Sequence, residues 1–134
     1  MLVEHARNVM GIEAASHAEY GGPGVPVVSL LSCSLVESEI EISITPGTRL
    51  AQIHPGESRR IERTHCNYGL APDFAYIASG GGMRISAVDD TSEVRAVERS
   101  EHTFFFGALY QPQRTSSRDH PHPVWTSFVR AVQG

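Results

Sequence analysis

Four side chains with thiol, imidazole or guanidinium groups could act on a small molecule. Cys33 stands alone, whereas Arg63, His65 and Cys66 lie close together further along the chain. A thiolate is a nucleophile, an imidazole can move a proton near neutral pH, and a guanidinium can bind a carboxylate through two hydrogen bonds. The alternative for either cysteine is a small buried hydrophobic residue without reactivity. His65 could be a base or a ligand, but one His beside one Cys is a weak metal signal.

A second set of candidates is the Pro-rich sequence His120-Pro-His-Pro. His120 and His122 could bind a metal ion together, but a bare His-x-His pair has no third ligand in view. Gly80-Gly-Gly lacks the strand and helix that would surround a phosphate-binding glycine loop. We therefore predict no metal site and no cofactor.

Composition limits the classes of function that the chain can have. A length of 134 residues predicts one domain, and a net charge of −4 gives no reason to expect nucleic acid or an anionic membrane as a partner. All eleven basic residues are Arg, so the chain contains no lysine for Schiff-base chemistry. No apolar run is long enough to span a membrane. Two cysteines without an export signal predict free thiols in a reducing cytoplasm.

The first half of the chain predicts a helix followed by strands. Apolar residues recur at helical spacing over residues 2–10, and Gly11 is a plausible end of that helix. Residues 27–31 form a short apolar run, and residues 35–45 alternate between Ile and polar side chains, which predicts a half-exposed strand stopped by Pro46-Gly47. We predict that residues 49–54 form the hairpin partner of that strand.

The second half predicts further strands and a closing helix. Residues 59–67 read as extended, residues 73–79 as a short helix, and residues 83–88 and 93–98 as a hairpin. The continuous apolar run 103–110 predicts a strand that is covered on both faces. A final helix begins at Pro123. Its helical spacing predicts a buried face that consists of Val124, Trp125, Phe128, Val129 and Val132.

Several of these segments resemble the glutamine amidotransferase domain of CTP synthase. Glu4-His-Ala-Arg-Asn-Val-Met-Gly is similar to the family's Glu-Phe-Ala-Arg-Asn-Val-Leu-Gly helix, and Arg59–Asn67 is similar to its Arg-His-Arg-His-Arg-Tyr-Glu-Val-Asn segment. The Phe104–Tyr110 run, the turn after it and the His-Pro loop resemble the family's C-terminus. The resemblance implies a flavodoxin-like three-layer α/β fold of the class I glutamine amidotransferase type. It also implies that the N-terminal half is missing, because Met1 lies just past the family's nucleophile elbow, so the nucleophile is expected to be absent.

The resemblance also implies roles for individual residues. Gln111 and Gln113 stand where the family has the His and Glu of its catalytic triad. Because a carboxamide cannot take a proton at neutral pH, we expect no glutaminase activity. The alternative role for both glutamines is to satisfy polar groups of the turn. Arg63 matches the family residue that holds the substrate α-carboxylate, and its alternative is a solvated strand Arg paired with Glu62 or Glu57. A small glutamine-like molecule is then the implied ligand.

A narrower resemblance is to the CTP synthase C-terminal-region-related (seleno)proteins. It rests on Cys33-Ser-Leu-Val-Glu, His65-Cys-Asn-Tyr-Gly-Leu and Tyr110-Gln-Pro. It implies an alternative function, a redox enzyme in which an upstream cysteine or selenocysteine is resolved by Cys33 or Cys66. A fragment of a working CTP synthase glutaminase domain is the second alternative. Without its N-terminal strands the chain should expose a large apolar patch, so association of copies into a homo-oligomer stays open.

Overall fold

A mixed, open six-stranded sheet forms the centre of the protein in a computed structural model that describes residues 1–134. The strand order is β1-β2-β4-β5-β6, and β3 also pairs with β2. Only the β1–β2 pair is parallel. The strands are β1 (Ala15–His17), β2 (Val25–Ile44), β3 (Arg59–Leu70), β4 (Arg84–Asp89), β5 (Val94–Glu98) and β6 (Phe106–Ala108).

Helical elements cover both faces of this sheet. Consecutive residues of a strand point to opposite faces, and on β5 Ala96 and Val97 belong to different apolar clusters. The fold is therefore a three-layer α/β fold, as predicted. None of its helices has the length and apolar character needed to cross a membrane. The helical elements are α1 (Leu2–Asn8), α2 (Arg49–Ile53), α3 (Pro123–Gln133) and the 3₁₀ segments Ala18–Tyr20, Pro72–Ser79 and Pro112–Arg114.

The long strand β2 joins two predicted strands into one. Its register with β3 shifts between Leu30 and Leu35 and again between Leu35 and Ser38, so bulges carry the strand from the predicted segment 27–31 into the predicted segment 35–45. The alternation in its second half is confirmed, because Ile40, Ile42 and Ile44 are all buried in the main core. The hairpin of β4 and β5, the extended segment at 59–67 and the short helical segment at 73–79 are also confirmed.

The prediction that residues 49–54 form a strand was wrong, because this segment is helix α2. The Thr48 hydroxyl caps the helix by accepting a hydrogen bond from the Ala51 N–H at 3.2 Å. The buried carboxylate of Glu98 accepts the Arg49 and Leu50 N–H groups at 2.7 and 3.2 Å. A carboxylate at this end of a helix satisfies unpaired N–H groups and favours the helix dipole. The hairpin partner of β2 is β3 instead.

The apolar run 103–110 is also not the covered strand that we predicted. Only β6 is extended, it is three residues long, and it pairs with β5 alone at the edge of the sheet. Its residues are half-buried or exposed. An edge strand has neighbours on one side only, so the aromatic run keeps partial contact with solvent.

The closing helix begins at Pro123 as predicted, but its apolar face is not buried. Only Val124 is buried in the core. The other four predicted core residues lie at the surface, with relative exposures of 42, 43, 50 and 69% for Trp125, Phe128, Val129 and Val132. By contrast, α1 packs against the sheet through the fully buried Ala6. The exposed apolar surface therefore centres on α3, which the sequence pattern placed inside.

Candidate functional site

The turn that contains Gln111 is fixed to strand β3. The Gln111 N–H donates to the backbone carbonyl of Arg63 at 2.8 Å, and the following 3₁₀ segment contains Gln113 and Arg114. The Gln111 side-chain oxygen accepts a hydrogen bond from Arg114 Nη1 at 3.2 Å. Gln113 is exposed and makes no side-chain hydrogen bond. Only Gln111 of the two predicted residues therefore takes part in an ordered polar arrangement, and its partner is a side chain rather than the turn backbone.

Glu37 connects this turn to His65. Its Oε1 lies 2.8 Å from His65 Nδ1, and its Oε2 accepts a hydrogen bond from Arg114 Nη2. Hydrogen bonds from Arg114 and then from His65 lower the pKa of the Glu37 carboxyl. Glu37 has φ of 50°, a left-handed conformation that is uncommon for a residue other than glycine and is concentrated at functional sites. We call Glu37, His65, Gln111 and Arg114 the turn network.

Arg63 lies beside the turn network in a charged cleft. Its Nε donates to Glu39 Oε1 at 3.2 Å, and both side chains are more than half exposed. The alternative pairing with Glu62 or Glu57 was wrong, because Arg60 takes both of those carboxylates. The cleft has a volume of about 280 Å³ and presents two carboxylates and two guanidinium groups. Its lining consists of Glu37, Ser38, Glu39, Arg63, Thr64 and Arg114.

The two cysteines lie in different surroundings. Cys66 is half-buried, and its thiol donates to the Tyr68 carbonyl at 3.2 Å. It lines a cavity of about 610 Å³ together with His65 and the buried Arg95. Cys33 is exposed, does not line that cavity, and forms no disulfide with Cys66. The structure thus brings His65 and Cys66 to one cavity and leaves Cys33 outside it.

A third assembly, which the sequence did not suggest, joins His122 to His54 and Glu62. All three side chains are buried, and one ligand atom from each lies within 4.8 Å of the others. His122 Nε2 is 2.9 Å from Glu62 Oε1, and the two imidazole rings are 5.7 Å apart at nearly a right angle. His120 is exposed and belongs to no such group. The prediction that His122 lacks further ligands was made from sequence neighbours, whereas its partners are His54, which ends α2, and Glu62 in β3.

The pKa values of two groups in this buried cluster are lowered. Burial, with a smaller contribution from the Arg60 charge, lowers the pKa of His54. Burial alone would raise the pKa of Glu62, but hydrogen bonds from His122 and Arg60 outweigh it, so that pKa is lowered. The group therefore contains a neutral imidazole beside an ionised carboxylate at neutral pH. No sequence pattern marks Glu62, because Ile61 beside it is exposed where the alternation would place the apolar residue inside.

Comparisons with known proteins show similarity to CTP synthases. No protein-family model matches the sequence. CTP synthase of Caulobacter sp. (strain K31) is 27% identical over 151 aligned positions, which cover 98% of this chain and 27% of the relative. CTP synthase of Sulfurisphaera tokodaii is 31% identical over 144 positions, which cover 99% of this chain and 27% of the relative. This chain thus spans about a quarter of the length of these relatives.

A solved structure gives the same relationship. The glutaminase domain of Trypanosoma brucei CTPS with bound acivicin superposes with a TM-score of 0.88 at 25% identity, which covers 97% of this chain and 55% of that one. The sequence relatives and this superposition agree with the resemblance that was drawn from the motifs. The chain is a class I glutamine amidotransferase-like domain related to CTP synthase.

Proposed function

We propose that this chain binds a small amino-acid-like ligand and does not hydrolyse glutamine. The observation that carries this proposal is the state of Gln111, whose side-chain oxygen accepts a hydrogen bond from Arg114 at the position that the family gives to its general base. A carboxamide cannot relay a proton between a nucleophile and a leaving ammonia. The exposed Gln113 offers no carboxylate to orient a base.

The charged cleft supports the ligand class. Arg63 uses its Nε for Glu39, which leaves both terminal nitrogens free for a carboxylate. Glu37 and Glu39 on the opposite strand supply negative charge for an ammonium group. A cleft with both signs of charge within about 280 Å³ suits a zwitterion of amino-acid size.

The test combines an activity assay with a binding assay. Ammonia release from L-glutamine should stay at the rate of a blank, and calorimetric titration should detect L-glutamine or L-glutamate. Arg63→Gln should weaken binding about tenfold or more, since a charge-assisted contact is lost. Arg59→Gln is the matched control, because Arg59 forms the equivalent exposed pair with Glu41 on the same two strands. Equal losses in both variants would contradict a ligand role for Arg63.

Ammonia release would instead favour the alternative that the chain is part of a working glutaminase domain. His65 has the only imidazole of the turn network, and imidazole is the side chain that most often acts as a general base. Activity that survives in His65→Gln would then show that the turn network is not involved in proton transfer. The activity and partners of a whole CTP synthase are not proposed for this chain, which matches about a quarter of one.

A second candidate function uses the thiol of Cys66. Its position in the wall of the larger cavity beside His65 favours exchange with a small disulfide: the thiolate attacks one sulfur, and the other leaves as a free thiol. Loss of exchange in Cys66→Ser, with activity kept in Cys33→Ser, would support it. This candidate function includes the resemblance to the (seleno)proteins, in which Cys33 or Cys66 would resolve an upstream cysteine or selenocysteine.

A further inference from the structure

The buried group of His54, Glu62 and His122 contains polar atoms without partners. His54 Nε2 and Glu62 Oε2 make no hydrogen bond, although these residues are only 2 and 0% exposed. The hydroxyl of Tyr110, which is buried in the adjoining core, also lacks a partner. Buried polar atoms in folded proteins are nearly always paired, so an unpaired nitrogen and an unpaired carboxylate oxygen in one group call for a bound species.

We propose that His54, Glu62 and His122 form a binding site for a divalent transition-metal ion such as Zn²⁺. Two imidazoles and one carboxylate are a donor set that zinc accepts, with a fourth position left to water. Ligands about 2.0–2.1 Å from zinc in a tetrahedron lie roughly 3.3 Å from one another. The three donor atoms are already within 4.8 Å of each other, and His122 Nε2 and Glu62 Oε1 are 2.9 Å apart. Small side-chain rotations therefore suffice to close the site.

The surroundings of His54 and Glu62 suit a cation. His54 is buried, and no hydrogen bond occupies its Nε2. Glu57 Oε1 lies 4.0 Å from His54 Nδ1, where an outer carboxylate can orient a metal-binding ring. Arg60 Nε holds Glu62 Oε1 at 2.6 Å and leaves Oε2 free. Arg60 opposes a cation, but it faces two carboxylates, so the local charge before metal binding is negative.

The competing explanation is a buried water that bridges the unpaired atoms. A metal ion and a bridging water would affect His122 differently. In the structure the Nδ1 of His122 accepts the Val124 N–H at 3.2 Å and so caps helix α3. A metal ion on Nε2 of a neutral imidazole moves the ring proton to Nδ1 and removes that cap, whereas water does not. An asparagine at this position can cap the helix through its own side-chain oxygen but cannot reach the metal. His122→Asn therefore removes the ligand and can keep the helix cap.

The experiment measures metal retention by the intact chain. Protein stripped with chelator is dialysed against Zn²⁺ alone, and bound metal is counted by mass spectrometry; Co²⁺ serves as a spectroscopic probe of tetrahedral geometry. We expect one ion per chain and a melting temperature that rises with Zn²⁺. His122→Asn and His54→Gln should weaken binding by at least about a hundredfold, and Glu57→Gln by about tenfold. The exposed His120→Asn is the matched control and should bind like the wild type.

Each of the following results would overturn the proposal. Absence of retained metal in the wild type would leave the group to hydrogen bonds and water. Binding that persists in both His122→Asn and His54→Gln, or that is lost in His120→Asn, would place the metal on surface histidines. If a variant does not fold by circular dichroism, the Co²⁺ spectrum of the wild type decides, because a spectrum of octahedral hydrated cobalt excludes the buried site. This proposal replaces the expectation from sequence that the chain has no metal site, and it does not depend on the charged cleft.

Discussion

Replacement of Asp89 by asparagine tests how the β4–β5 hairpin is held. Asp89 is 8% exposed, and its Oδ1 accepts three hydrogen bonds from Thr91 and the Glu93 N–H. Its Oδ2 accepts two more from the guanidinium of Arg95, which is 4% exposed. In Asp89→Asn the Oδ1 side can remain, but an NH₂ group then faces Arg95, so two donors meet where a charged pair was.

The magnitude follows from those two bonds. Each hydrogen bond to a charged group contributes about 1.5–3 kcal/mol, so the loss of both has a ceiling of about 6 kcal/mol. Arg95 keeps its contact with Glu93, which reduces the cost of leaving it buried. We therefore expect Asp89→Asn to lower the free energy of unfolding by about 3 kcal/mol. For a chain of this length that corresponds to a fall of about 12 °C in melting temperature.

Urea denaturation at two pH values checks both the size and the cause. Burial alone would raise the pKa of Asp89, but hydrogen bonds from Thr91 and Arg95 outweigh it and lower that pKa in the folded state. Its stabilisation is therefore fully present above the ordinary carboxyl range and is lost as pH falls through the folded-state pKa. The gap between wild type and Asp89→Asn should be full at pH 7 and shrink in acid. Asp90→Asn, one exposed residue further along the same turn, is the control and should cost less than 0.5 kcal/mol. Equal costs at positions 89 and 90, or a gap that does not depend on pH, would refute the reasoning.

Three further outcomes follow from the described contacts. Cys33 should react with a bulky alkylating reagent much faster than Cys66, because it is exposed and Cys66 is half-buried and hydrogen-bonded; equal rates by mass spectrometry would contradict this. Thr48→Ala should lower the free energy of unfolding, measured by urea denaturation, by about 1–2 kcal/mol through loss of the α2 cap. Thr48→Ser keeps a capping hydroxyl and should retain most of that stability. The exposed apolar face of α3 should drive association of copies, so light scattering should show a mass that falls on dilution. Phe128→Ser together with Val132→Ser should shift this equilibrium to monomer, and an unchanged mass would exclude this face.

Patterns predicted the parts of the fold in which local and global preferences agree. The Ile alternation of β2 and the turn between β4 and β5 were identified because their apolar faces are buried in the sheet. The strand that we predicted at residues 49–54 was wrong because this segment forms a helix that depends on Glu98. The carboxylate of Glu98, far along the chain, accepts the first N–H groups of the helix. The predicted burial of the apolar face of α3 was wrong, because helical spacing shows which residues share a side of the helix but not whether another element covers that side.

The candidate site residues divide in the same way into those that local sequence could suggest and those that depend on distant contacts. Strand β3 contains both kinds. Side chains alternate across a strand, and here Glu62 and Thr64 point into the core while Arg63 and His65 point outward. The outward pair was predicted as a ligand site from its residue types and from the family resemblance, since neither depends on distant contacts. Glu62 has a role only because α2 and the loop before α3 bring His54 and His122 to it. The same alternation places the charged cleft and the buried histidine group on opposite faces of β3. Substitutions at 63 and 65 should therefore change ligand binding without changing metal retention, and His54→Gln should do the reverse; a variant of either kind that alters both would show that the two sites are coupled through the strand.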